Sequence, residues 1–477
     1  MASPSCLRCL KRSLRSIDPV VKIEASPRAA FSTTAYLSAS PPKKKPAAGA
    51  RQGRTLRLSK NVRSSAARPP APGERKALRK RIVLSNTNAI EIEGLQDLTG
   101  DKLARHEADT VALAQYRGQV LGLTNETVDA LRALEAFKAT QGWSLFRRPA
   151  SLVRAETAEL ANDLANAEEE SKEVVRKVVY GPKRGGKSVL LLQAQAMAFV
   201  KGWLVFHFPE AQDLTNAHTA YQPINTPDGT IYIQPHYTAK LLANLASANQ
   251  TLLSRLRLSK QHQLPIPIQP NISLARFAEL GARDVELAWP IWQALWSELT
   301  APSKPETEGL ARPPVLVSMD GVDQAMRLSA YLDRDADPVH AHDLALTRHF
   351  MHMLSGKTEL PNGGMVLAAT CESNRAASPT LDFCLQQNLA RQLESKDDPH
   401  WNSYALKDKR VEDAMKMARP VELQGLSKEE ARGVMEYYAQ SGMLRSTVTD
   451  GLVSEKWTMA GAGIIGELEK AAVLARF

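Results

Sequence analysis

Short apolar runs recur through the middle of this chain, with stretches of helical periodicity between them. Arg176–Tyr180, Trp203–Phe208, Val315–Met319 and Met365–Ala369 are each about the length of one strand. The last three are too uniformly apolar to face water on one side, as expected of strands buried between two layers, and Arg176–Tyr180 reads as a short strand running into the loop that follows. Between them, Val189–Val200, Thr238–Leu253 and the aromatic run Trp289–Trp296 repeat their apolar positions with a helical rhythm. This alternation predicts an α/β fold, a mostly parallel sheet with helices on both faces, over residues 174–424.

The flanks have a different pattern. Residues 82–173 predict a helical preface, with apolar positions at helical spacing from Thr124 to Leu134 and an Ala- and Glu-rich stretch, Ala155–Lys172, that reads as an exposed helix. Between these, Gln141–Pro149 is an aromatic and basic loop, read as a packing staple against the body. Residues 425–477 predict a small helical domain. Its first helix opens with a capping box, Ser427 as N-cap and Glu430 three residues later, and runs through Tyr438. Gly461–Leu468 leads into a final helix.

The candidate chemistry lies between the first strand and the helix after it. Gly181-Pro182-Lys183-Arg184-Gly185-Gly186-Lys187-Ser188 matches the phosphate-binding loop G-x-x-x-x-G-K-[ST] at every fixed position. Glycines let backbone N–H groups approach phosphate oxygens, and the helix N-terminus adds a favourable field. These eight residues and Val189 are the expected phosphate contacts. Lys187 is expected to reach the β- and γ-phosphates, and the Ser188 hydroxyl to hold Mg²⁺. The second metal ligand expected is Asp320, at the end of Val315-Leu316-Val317-Ser318-Met319.

Two further features bear on turnover. The position after Asp320, where ATPases of the strand-inserted class place a water-polarising Glu, is Gly321, with Asp323 beyond it. Such a site is expected to bind nucleotide and hydrolyse it slowly or not at all. No N/T-K-x-D loop follows a strand, so the base is left open between GTP and ATP, or the diphosphate. Thr370 is a candidate γ-phosphate sensor and Arg375 a candidate charge-stabilising arginine. His340, His342, His349 and His352 crowd one segment without a completing ligand set, and read as a solvated helix face.

Charge changes the picture only at the N-terminus. The chain of 477 residues carries a net +10, but residues 1–80 hold 19 Lys and Arg against Asp18, Glu24 and Glu74. That stretch is therefore +16 and the remainder −6. Residues 1–38, basic and rich in Ser and Ala, read as a mitochondrial presequence. Residues 39–81 read as a disordered basic extension suited to RNA phosphates. No run approaches the roughly 18 apolar residues of a membrane span. Four cysteines, two of them in the presequence, give no reason to expect a structural disulfide.

Taken in order, the segment WSLFRRPASLVR from Trp143 to Arg154, the loop GPKRGGKS, the run from Trp203 to Ala211, VLVSMDGVDQAM from Val315 to Met326 and LSKEEARGVMEYYAQSG from Leu426 to Gly442 form a set. That set resembles the mitochondrial small-subunit ribosomal proteins of the death-associated protein 3 family, the fungal branch most closely. The resemblance implies an AAA-like P-loop NTPase fold, a place in the head of the small subunit in the mitochondrial matrix, and a bound purine nucleotide, usually described as GTP. It also implies small-subunit rRNA and ribosomal proteins as partners, with contacts to the large subunit a further expectation. Lys187, Ser188 and Asp320 keep their phosphate and Mg²⁺ roles by analogy. The competing reading is an active AAA-type mitochondrial ATPase or remodelling factor.

Overall fold

The structure, a computed structural model, describes residues 82–474 apart from 108–109, 169–172, 228, 270, 308 and 395–398. The presequence and basic extension expected over residues 1–81 lie outside the described residues. Those described belong to one compact unit, Pro70–Phe477.

Its centre is a parallel sheet of five strands: β1 (Val174–Tyr180), β2 (Leu204–Phe208), β3 (Val315–Asp320), β4 (Gly364–Ala369) and β5 (Arg419–Glu422). Their spatial order is β5-β1-β4-β3-β2, and every neighbouring pair is parallel. One strand, β4, therefore separates the strand before the phosphate loop from the strand ending in Asp320. The registers Ala369↔Val179 and Ala369↔Asp320 bring the C-terminal ends of all three level.

The buried runs have two faces, as their composition requires. Val315, Val317 and Met319 of β3 and Val366 and Ala368 of β4 point into one core. That core is filled by α4 (Pro235–Ala248), α5 (Leu274–Arg283), α6 (Ala288–Leu299) and α7 (Ala345–Leu354). Leu316, Met365 and Leu367 point to the other side, against α1 (Asn125–Ala133), α2 (Ala155–Ala167) and α3 (Lys187–Val200). The α/β sheet with helices on both faces is thus as the pattern predicted.

Three expectations change. The preface is mixed rather than helical: beside α1 and α2 it has two short antiparallel pairs, Arg105–Glu107 with Thr110–Val111 and Val120–Gly122 with Ala150–Leu152. The helix expected over Thr238–Leu253 is two, α4 and the short Gln250–Arg255, because Asn249 leaves helical geometry and spends its side chain on β2, accepting from Val205 N at 2.9 Å and donating to Val205 O at 2.9 Å. The Ala-rich helix expected to be exposed is buried along Ala158, Leu160, Ala161, Leu164 and Ala167. Small side chains let α2 approach α3 closely.

The helices expected after residue 425 are α8 (Lys428–Gln440), α9 (Asp450–Met459) and α10 (Ile465–Glu469). The capping box forms: Ser427 N donates to Glu430 Oε2 at 2.9 Å, and Glu430 N to Ser427 Oγ at 3.2 Å. Glu430 does more than cap its own helix. Its Oε1 also accepts from Ala155 N at 3.1 Å and from Arg117 Nε at 3.2 Å, tying α8 to the start of α2.

Candidate functional site

The phosphate loop has a conformation only its glycines permit at two points. Gly181 has φ 145°, and a Cβ there would lie 2.3 Å from the carbonyl oxygen of Leu423. Gly186 has φ 99° and caps α3 in the left-handed region. The chain then enters α3 at Lys187, and the first amides of a helix have no acceptor within it. They face the cavity floor, where an anion is favoured.

Lys187 lies inside the loop, donating from Nζ to the carbonyl oxygens of Gly181 at 2.7 Å and Pro182 at 2.9 Å. Burial lowers its pKa, against the opposing charges of Glu372, Asp320 and Asp323. Arg154 holds the loop from behind. It donates from Nη1 to Gly185 O at 2.9 Å and from Nη2 to Gln424 O at 2.7 Å. Over the loop, Gly466 N donates to Arg184 O at 3.1 Å, and Arg184 pairs with Glu467 at 2.8 Å.

A cavity of about 570 Å³ opens above this loop. Lys183 to Val189 form one wall, and Thr370 to Ser373, after β4, another. The remainder comes from Lys138 to Phe146 and from Tyr437, Tyr438, Ile465 and Glu469 of the C-terminal helices. Gly181 and Pro182 are not in the wall; their carbonyls anchor Lys187 instead. The loop Gln141–Pro149 is a staple, as expected, and a cavity wall as well. Trp143 packs edge-on against Phe137 at 5.2 Å, and Phe146 stacks on Tyr438 at 5.6 Å. Glu469 is also in the cavity wall, its pKa raised by burial.

The arrangement fits the phosphates of a nucleotide. Thr370 is 2% exposed, and its Oγ1 has no hydrogen-bond partner although it faces the cavity. A buried hydroxyl left unpaired is unfavourable, and a phosphate oxygen supplies what it lacks. Asp320 does not fit a divalent ion in the same way. It is 2% exposed and is ion-paired with Lys138, which stands between it and the cavity.

The other candidates separate. Asp323 is fully buried and spent on backbone, its carboxylate accepting from Cys371 N at 2.7 Å and Ala376 N at 3.0 Å. It is a strap for the loop after β4 rather than a water-activating base. Gly321 turns the chain at φ 74°. Arg375 is not in the cavity wall, because its guanidinium pairs with Glu372 and Asp382. The histidines are not a solvated face. His342 is buried and His349 half-buried, their pKa values pushed down to about 3 by desolvation, and His349 sits edge-on to Trp296 at 4.6 Å. Among the described residues no group of three or more His, Cys, Asp or Glu is placed to hold a metal ion.

Residues 151–471 match the profile of the mitochondrial ribosomal death-associated protein 3 family. The chain belongs to that family. It is similar to the small ribosomal subunit protein mS29 of Neurospora crassa, at 41% identity over 99% of both chains. It is also similar to the proteins of that name from Schizosaccharomyces pombe, at 21% identity over 69% of this chain and 66% of the relative, and from Bos taurus, at 22% over 63% and 69%. The family match spans the phosphate loop, Asp320 and the C-terminal helices, whereas Lys138 precedes it.

Sequence reasoning did not single out Lys138, Arg154, Tyr438 or Glu469. Each reaches the cavity or the loop through a contact between segments distant in the chain. Lys138 gave one signal, a charge just ahead of the aromatic staple Trp143.

Proposed function

We propose that this protein is a structural constituent of the small subunit of the mitochondrial ribosome in the matrix, and that it holds a purine nucleotide as part of its folded form, with slow or no hydrolysis. Family membership carries the ribosomal role. The nucleotide rests on one observation: three separate parts of the chain meet over a complete phosphate loop and leave a cavity there.

A nucleotide at this junction bonds to the loop, to Thr370 and to the walls contributed by the preface and the C-terminal helices. It therefore acts as a folding and docking element. The strand order, with β4 between the loop strand and the Asp320 strand, supports an AAA-like assignment of the fold. Gly321, and Asp323 spent on two backbone amides, support a site without a water-activating base. The base is GTP's or ATP's. Mg²⁺ accompanies the phosphates from the Ser188 side, and at Asp320 it has Lys138 as a competitor. In the small-subunit head, partners include rRNA and neighbouring ribosomal proteins, with the large subunit across the interface.

Mass spectrometry of nucleotide released from purified small subunits tests the reading. One GTP, ATP or diphosphate per copy is expected, with no multiple turnover by the purified protein. An empty site in intact particles overturns it, and rapid turnover favours an AAA-type ATPase or remodelling factor.

A further inference from the structure

We propose that Lys138 is the resident cation of Asp320 and a phosphate ligand of the cavity, so that nucleotide affinity does not depend on a divalent metal at Asp320. This rests on the nucleotide reading above.

The geometry begins with Asp320. A carboxylate at 2% exposure is strongly unfavourable unless a positive charge is beside it. In this fold Lys138 provides that charge. The lysine is three-quarters buried, yet it is in the wall of the same cavity as Lys187. An ammonium has three protons, and one carboxylate does not exhaust them. Two donors remain, and Lys138 borders the cavity above the loop.

Lys138 is held in place. Its backbone N donates to Gln141 Oε1 at 2.9 Å, and Gln141 N returns a bond to Lys138 O at 3.1 Å. Trp143 Nε1 bonds the same Gln141 Oε1 at 2.5 Å, and Trp143 is locked edge-on against Phe137. The turn that presents Lys138 is thus rigid on both sides.

Mg²⁺ demands near-octahedral oxygen ligation at about 2.0–2.1 Å. An ammonium at the same carboxylate occupies that ligand and repels the ion. Where a metal-dependent site places its cation, this chain has a covalently attached one, reaching the site from outside the sheet. The cation survives any change in metal concentration, which suits a nucleotide that is structural.

The test measures GTP and ATP binding to the purified full chain, in EDTA and in excess Mg²⁺, for the wild type, Lys138→Met and the charge-neutral pair Lys138→Met with Asp320→Asn. For the wild type, affinities within about threefold of each other in the two conditions are expected, a difference of under 1 kcal/mol. Lys138→Met frees Asp320 for metal, and binding in EDTA should fall by about tenfold or more and recover with Mg²⁺. The pair leaves no buried unpaired charge, so it folds even if the single variant does not. It should bind about tenfold or more weakly than wild type in EDTA and gain little from Mg²⁺. Wild-type binding that is lost in EDTA overturns the proposal and leaves the nucleotide reading standing. Undiminished binding in EDTA by the pair overturns it also. No binding by the wild type in either condition removes the nucleotide reading itself.

Discussion

Arg154 and Gly185 are joined by a hydrogen bond of 2.9 Å from guanidinium to carbonyl, and the same guanidinium reaches Gln424 at 2.7 Å. One buried side chain thereby connects the preface, the phosphate loop and the segment leading to the C-terminal helices. The loop is thereby tied at Gly185 to segments from both flanks of the sheet domain.

Arg154→Ala is expected to remove two charge-assisted bonds to the carbonyls of Gly185 and Gln424, and with them the ion pair to Glu156. Bonds to a charged group contribute about 1.5–3 kcal/mol each, and overlap between them brings the expected loss to roughly 2–4 kcal/mol. Urea unfolding followed by intrinsic tryptophan fluorescence measures it. A midpoint equal to that of the wild type would mean that the loop supports itself.

Lys187→Ala is expected to lower stability and assembly more than any catalytic rate. The contact to phosphate contributes about 1.5–3 kcal/mol, and loss of bound ligand removes about 2.7 kcal/mol of linkage at a hundredfold excess over Kd. Against a typical stability of about 5–15 kcal/mol these are large. Thermal unfolding with and without nucleotide, together with incorporation into the small subunit, gives the readout. Normal melting and normal incorporation would refute the structural role.

Three desolvated histidines, His207, His342 and His349, predict how stability responds to acid. Desolvation pushes His207 down to about 4 and His342 and His349 down to about 3. Their stabilisation is complete above the unfolded pKa of about 6.5 and is lost as pH falls toward the folded values, because the unfolded chain takes up the proton first. The slope is about 1.4 kcal/mol per pH unit for each histidine. Denaturant midpoints measured from about pH 7.5 to pH 5.5, above the range where most carboxylates titrate, should change little at first and fall increasingly below about pH 6.5. His349→Leu, which keeps an apolar group beside Trp296, should flatten part of that slope.

The basic stretch 39–80 carries 13 Lys and Arg against Glu74 alone, a net +12. We expect it to contact rRNA phosphates in the assembled particle. Binding should weaken with salt by about 0.7 log unit per log unit of salt for each single-strand phosphate contact. Deleting 39–80 behind an intact presequence should lower that slope and impair small-subunit assembly. If import, assembly and salt dependence all stay the same, the stretch is not an RNA anchor.

What the sequence determined by itself was whatever is coded locally. The phosphate loop was legible because glycines, lysine and serine must be contiguous to surround a phosphate, and Gly181 and Gly186 do take the conformations that exclude other residues. The central strands were legible because burial on both faces leaves a run such as Val315–Met319 no polar alternation. The cap at Ser427 and Glu430 was legible from its spacing. The tertiary structure decided the rest. An Ala-rich helix reads as exposed because alanine is nearly neutral in hydropathy, yet its small size is what lets α2 bury. Clustered histidines read as polar until a neighbour such as Trp296 removes their water. Lys138 reads as one charge among many, and only the fold places it on Asp320. Pairing of that kind depends on the distance between side chains far apart in the chain, and local pattern does not carry that distance.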